Sequence, residues 1–209
     1  MSTASTAGAA ATPSTSATAS QRRGRGGRER ILAAATQLFA SQGINATGME
    51  QVAEAAPVSK RTLYAHFRTK NDLVIAYLHG LASSGATLEA VLTREDIPPR
   101  ERILKLFDQP ASDAGTVRGC PFIDAAAEFP DPASAAHSYA REQKLRMAEL
   151  IAALLKELGC REPSALAEQL ATLADGAASR AMVLGDADYG RHARAAAEVL
   201  LEHTLPGTN

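Results

Sequence analysis

Tryptophan is absent from this 209-residue chain, and aromatic residues make up only 4% of it. Sheet proteins fill their pleated faces with aromatic and β-branched side chains. Their scarcity here, beside an abundance of Ala and Leu, argues for helices. Cysteine occurs twice. That is too few for a disulfide framework and fits a reducing cytoplasm. No apolar run approaches the roughly 20 residues that a membrane span needs, and the first residues lack the basic start and leucine-rich block of a secretory signal. The expectation is a cytoplasmic protein with no membrane partner. The five histidines are scattered. No H-x-x-x-H, C-x-x-C or H-E-x-x-H spacing occurs, so neither a metal nor another cofactor is expected. The glycines of "RRGRGGR" follow no strand, which removes a dinucleotide-cradling loop.

What is present is unevenly distributed. The formal net charge is −1. From Met1 to Leu78, however, nine basic residues face four acidic ones, a local charge of +5, and the remainder carries −6. A basic first third on an acidic remainder suits a polyanion partner at one end.

"MSTASTAGAAATPSTSATAS" holds nothing large to bury and reads as disordered. "QRRGRGGRER" follows. Its Arg22, Arg23 and Arg25 either form a solvated basic tail or reach phosphates or a minor groove. Structure is expected from about Arg28. Ile31, Leu32, Ala35, Leu38 and Phe39 fall on one helical face, which Gly43 ends. Thr47 and Glu50 read as a capping box for a short second helix, which must stop by Ala56, ahead of Pro57. Ser59 caps a third helix, Lys60 to Phe67, and Thr69 with Asp72 starts a fourth, to about Ala82. Leu63 and Phe67, four residues apart, seat the third helix on the core. Lys60, Arg61, Thr62, Tyr64 and His66 then project mostly outward. This is the layout of a helix-turn-helix whose second helix reads DNA.

"RERILAAATQLFASQGINATGMEQVAEAAPVSKRTLYAHFRTKNDLVIAYL" resembles the N-terminal DNA-binding domain of the TetR family of transcriptional regulators. The likeness lies in the leading amphipathic helix, the T-x-x-x-V-A-x-x-A helix, "VSKRTLYAHF" and the Lys70 that follows. It implies phosphate contacts for Thr47, Ser59, Tyr64, His66 and Lys70, which suits their hydroxyl and cationic chemistry. Position on the reader helix assigns base edges to Arg61 and Thr62, and Lys60 to a base or a phosphate. The family usually carries Gly where this chain has Pro57. Proline cannot follow a glycine into positive φ, so the turn is expected to be re-routed slightly.

Beyond Leu78 the pattern stays helical. "PPRERILKLFD" presents Ile103, Leu104 and Phe107 on one face, and "RGCPFIDAAAEFPDP" is a short apolar segment closed by prolines. A helix is expected from Asp131 and Pro132 to Gly159, another from Pro163 through Leu184, and a last one from Tyr189 to His203. The whole is an all-α protein: a disordered basic arm over 1–27, a helix-turn-helix domain over 28–72, and a helical regulatory and dimerisation domain over 73–205. "RGCPFIDAAAEFPDP" also resembles a segment of a large TetR subgroup whose C-terminal domain holds a ligand cavity. Candidate walls are Leu104, Phe107, Phe122, Ile123, Phe129, Tyr139, Met147 and Met182, each of which could equally be simple core.

The last two helices are rich in small residues, which permits close helix packing. Leu166, Leu170, Leu173, Ala177, Ala181, Leu184, Ala195, Ala196, Val199 and Leu200 are candidates for a two-fold interface or for ordinary core. The expected partners are therefore double-stranded DNA, a second copy of the chain and an unidentified small-molecule effector. The expected function is a dimeric repressor released from a palindromic operator by an apolar ligand. No catalytic residue is assigned. Cys120 stands before Pro121 near a helix start, but no base is fixed beside it. A thiol-switched regulator acting through Cys120, and a small-molecule enzyme carrying a vestigial helix-turn-helix, are the alternatives.

Overall fold

The computed structural model describes residues 16–84, 88–108, 119–186 and 188–205, with side chains from Gly26 onward. Every regular element among them is helical. The order is α1 (Ser16–Gln42), α2 (Met49–Ala55), α3 (Lys60–His66), α4 (Lys70–Ser83), α5 (Leu88–Leu92) and α6 (Pro99–Leu104). A single 3-10 turn (Lys105–Phe107) follows, then α7 (Pro121–Glu128), α8 (Ala135–Glu157), α9 (Pro163–Leu184) and α10 (Tyr189–Thr204).

Several expected boundaries need correction. α1 starts at Ser16, not near Arg28, while residues 1–15 lie outside the described residues. Once the Ile31–Phe39 stripe has docked, each upstream turn costs far less than nucleation did, and Ala, Gln and Arg are good helix formers. α8 starts at Ala135 behind a Ser134 cap, because residues 131–134 close a turn in which Asp131 accepts from the Ala133 amide at 2.9 Å. The expected starts of α3 and α4 match the observed ones. Ser59 Oγ accepts from the Thr62 amide at 3.1 Å, and Thr69 and Asp72 bond each other reciprocally at 3.0 and 3.1 Å.

Buried side chains form two clusters. One joins α1 (Ile31, Ala35, Phe39), α2 (Val52, Ala53), Leu63, Phe67 and α4 (Leu73, Tyr77, Leu78), and it also takes in Ala125 of α7 and Ala136 of α8. Residue 72, where the first domain was expected to end, therefore falls inside α4, whose far side serves the same core. Phe39 and Tyr77 meet edge to face with centroids 5.1 Å apart, worth about 0.5–1.5 kcal/mol beyond area.

The second cluster is built by α5, α6, α8, α9 and α10. α8 ends in a glycine cap: Gly159 has φ 78°, its amide bonds the Lys156 carbonyl and the Cys160 amide bonds the Leu155 carbonyl, at 3.0 and 2.9 Å. α10 lies so close to the turn at Lys105–Phe107 that a Cβ on Gly190 would stand 2.4 Å from the Phe107 carbonyl oxygen. Backbone cannot yield there as a side-chain tip would. Gly190→Ala is therefore expected to destabilise the fold by about 1–3 kcal/mol, read as a lower denaturant midpoint with an unchanged slope.

Candidate nucleic-acid interface and regulatory cavity

The reader helix α3 has seven residues, and its geometry is set from both ends. Ser59 caps the start, and Leu63, 0% exposed, and Phe67 hold the inner face. Removing these two apolar groups from water contributes about 1.5–3 kcal/mol each. Lys60, Arg61 and Tyr64 face solvent, Tyr64 at 47% exposure. Thr62 is half-buried, its hydroxyl 2.9 Å from Ser59 Oγ. Lys60 is paired with Glu50 of α2 at 2.5 Å, which raises the lysine pKa above its usual value through that hydrogen bond and charge. A phosphate would have to replace this exposed partner. Lys70 Nζ donates to the Asn45 carbonyl at 3.1 Å, tying the start of α4 to the loop before α2.

Two residues assigned to DNA differ from expectation. Thr47 is 1% exposed; its hydroxyl donates to the Gly43 carbonyl at 2.7 Å and accepts from Gln42 Nε2 at 3.1 Å. It neither caps α2 nor presents its side chain to a phosphate. The cap is Gly48, and Gln51 rather than Glu50 reaches back to the cap amide at 3.3 Å. His66 is half-buried against α1, where a Cβ on Gly27 would lie 3.1 Å from its Nε2 and 3.7 Å from Thr62 Cγ2. A side chain at this position would require the His66 ring to give way slightly. Arg28 sits 5.3 Å over the Phe67 ring on the same seam. The backbone of Arg22, Arg23 and Arg25 continues α1 beyond this crossing, and their side chains lie outside the described residues.

The turn between α2 and α3 enters positive φ at Pro57. Its φ is 25°, the one positive value at a non-glycine among the described residues. The Val58 amide bonds the Ala53 carbonyl at 3.0 Å, the long hydrogen bond of a helix-ending glycine motif. The companion bond, which Gly159 makes at the end of α8, needs an N–H that proline lacks. The turn thus takes positive φ, though short of the 65–95° of the chain's own glycine caps, with a residue whose ring prefers φ near −65°, and the strain is local.

A cavity of about 530 Å³ opens where α4, α5, α7, α8 and α9 meet. Of the candidate walls, Phe122 and Met147 line it, with Leu81, Leu88, Val91 and Ala178. The other expected walls are not among its lining residues. Leu104 and Phe107 are buried in the C-terminal core, Phe129 and Tyr139 pack on the N-terminal cluster, Ile123 lies off the cavity on α7, and Met182 is exposed near the end of α9. Burial, followed by the charges of Glu142 and Glu89, holds the Tyr139 hydroxyl above its usual pKa. Residues missed in the sequence include Lys144 and Asp175, which form an ion pair in the cavity wall, and Gln143. Burial disfavours the Lys144 charge, but Cys120 and Asp175 beside it more than offset this and raise its pKa. Opposite charges at inward-facing positions of α8 and α9 were the available signal. Cys120 lines the cavity, half-exposed, while Cys160 is buried elsewhere.

The candidate pairing residues divide by face. Leu166, Leu170 and Ala177 are buried within their own chain and are corrected to intrachain packing, while Leu173 and Leu200 pack partly on the same core and stay partly exposed. Ala181 is half-buried. Leu184, Ala195, Ala196 and Val199 face solvent, joined by Val183 at 74% exposure.

The geometry so far is that of a helix-turn-helix protein with a helical body packed against it. The family described as bacterial regulatory proteins, tetR family, matches residues 31–77. A TetR-type transcriptional regulator from Streptomyces avermitilis of known structure is 30% identical, with a TM-score of 0.72 over 85% of this chain and 97% of that one. The Escherichia coli HTH-type transcriptional regulator YjdC is 28% identical over 177 residues, 83% of this chain and 93% of its own. The HTH-type transcriptional activator FasR of Mycolicibacterium smegmatis is 43% identical over 51 residues, 24% of this chain and 23% of its own. The chain belongs to the TetR family of transcriptional regulators. It is a DNA-binding regulator of transcription and not an enzyme, and no helix among the described residues is long and apolar enough to cross a membrane.

Two substitutions separate contact from scaffold. Arg61→Ala is expected to cost about 1–3 kcal/mol of DNA affinity with an unchanged melting temperature, whereas Leu63→Ala costs about 2–5 kcal/mol of stability. Fluorescence anisotropy on a bound duplex, run beside thermal melts, distinguishes them. Pro57→Gly relieves strain of about 1–3 kcal/mol against an entropic loss of about 1 kcal/mol. A raised melting temperature is the expected result, and a lowered one would deny the strain.

Proposed function

We propose that this protein is a dimeric repressor that holds a palindromic operator and lets go when a small, largely apolar ligand enters the cavity. The observation that carries the reading is the pairing of a solvent-facing reader helix, fixed by Leu63 and Phe67, with a cavity of about 530 Å³. That volume suits one small molecule. In this reading Arg61, Thr62 and Lys60 meet base edges in the major groove, while Ser59, Tyr64 and Lys70 hold phosphates. His66 steadies α3 against α1 and keeps one edge for a phosphate. The arginines at 22, 23 and 25 extend α1 toward the neighbouring minor groove.

One reader helix covers too few base pairs to be selective, so two are needed. The exposed faces of α9 and α10, with Val183, Leu184, Ala195, Ala196 and Val199, supply an apolar surface for a two-fold pair. α4 runs from the reader domain to the cavity wall at Leu81 and Ser84. A ligand that favours another tilt of α4 changes the separation of the readers, and it shifts the balance only by its differential affinity for the two arrangements.

Selection of bound duplexes from a random pool tests the core of this reading. The expected product is a palindrome whose half-sites are centred about 34 Å apart or a multiple of that. Enrichment of a single asymmetric half-site, or none at low ionic strength, would sink the dimeric readout.

A further inference from the structure

We propose that Glu128 is the positioning residue that reports the state of the cavity to the helix-turn-helix. The proposal deepens the ligand-release reading and rests on it. α7 has eight residues and touches both ends of the problem. At its start, Pro121 and Phe122 are cavity wall, as are Gly119 and Cys120 just before it. At its end, Glu128 Oε1 accepts from the Ile44 amide at 2.9 Å and Oε2 accepts from the Asn45 amide, while Asn45 Nδ2 donates to the Glu128 carbonyl at 3.2 Å. These groups lie 84 and 83 residues apart in the chain.

The clamp fills a gap left by α1. That helix ends with Gly43 at φ 95°, and the Gly43 amide bonds the Phe39 carbonyl at 3.0 Å. This simpler glycine cap leaves the next amide, that of Ile44, without a helical carbonyl. Ile44 is buried, so the amide needs an acceptor, and a carboxylate is a strong one. An acid in the last turn of α7 runs against the helix dipole, so the position gains nothing from its own helix. The grip is continued on the far side, where Lys70 of α4 holds the Asn45 carbonyl at 3.1 Å. The loop from Gly43 to Gly48 sets where α2 begins, and α2 carries the turn into α3. A ligand that displaces Gly119–Phe122 moves a short rigid rod whose other end holds this loop. A second link runs alongside: the Phe122 ring lies 6.4 Å from Tyr139, whose ring is tilted against His79 of α4 with centroids 4.2 Å apart.

The test uses the full-length chain carrying Cys160→Ala, so that Cys120 is the sole thiol. N-ethylmaleimide is the cavity probe: the sulfur adds to one alkene carbon, the thiol proton ends on the other, and the adduct occupies the wall at the start of α7. Modification is followed by intact mass, and affinity is read on a duplex taken from the random-pool selection. In the parent, the adduct is expected to weaken duplex binding at least tenfold and to speed amide exchange at Ile44 and Asn45 at least tenfold. In Glu128→Ala, the adduct changes affinity less than twofold. Glu128→Gln, which keeps the shape and one acceptor, falls between and serves if the alanine variant does not fold. Equal loss in the parent and both variants would overturn the role of Glu128 while leaving release by cavity occupancy standing. Loss in the parent with unchanged exchange at Ile44 and Asn45 would do the same. Full modification with no loss of parental binding would overturn both.

Discussion

The arrangement hangs on how α3 is held. A seven-residue helix has too few internal hydrogen bonds to persist alone in water, because nucleation fixes several residues for each bond gained. Leu63 and Phe67 supply what the helix lacks by entering a core shared with α1 and α4. The outer face is thereby free to carry polar side chains that are not needed to seat the helix. A helix held by many surface bonds would lose its donors to the protein. Here only Lys60 is engaged in an exposed ion pair, and such pairs contribute about 0–1 kcal/mol, so DNA can take the lysine over at little cost.

The same core explains why reader and body are not independent. Ala125 and Ala136 enter the N-terminal cluster from α7 and α8, and Tyr139 stands against His79. Elements that wall the cavity on one side are therefore packing partners of the DNA-binding helices on the other. Close-packed interiors do not deform smoothly, so under the proposed ligand release a displacement at one end would appear at the other as a change between discrete arrangements.

What was legible in the sequence is local, and what was not is distant. Ser59 with Thr62, Thr69 with Asp72, and the spacing of Leu63 and Phe67 lie within one helical turn of each other, and the helix-turn-helix followed from them. The α2 cap was misplaced because Thr47 finds a closer partner in the Gly43 carbonyl, a choice that hinges on how α1 ends. Leu166 and Leu170 were candidates for a partner subunit because an apolar stripe carries no mark of whose core it enters. Only the placement of α8 and α10 turns those side chains inward. The pairing of Glu128 with Ile44 had no signal in a single sequence, since nothing near either residue refers to the other. Pro57 was expected to bend the turn, but the packing of α2 and α3 on α1 outweighs one residue's preference, and the proline conforms.

The contact at Gly190 has a mechanical meaning. α10 is pressed onto the Lys105–Phe107 turn with no room between the backbones, and Arg194 fastens it there through the Leu104 carbonyl and Asp108. Lys105 and Asp108 also border the cavity. One wall is thus an anvil, braced from behind by the helix whose outer face is turned to solvent. The opposite wall is the start of an eight-residue helix. On the ligand-release reading proposed above, an occupant would press on one braced side and on the start of α7, and α7 is the side that leads to the helix-turn-helix.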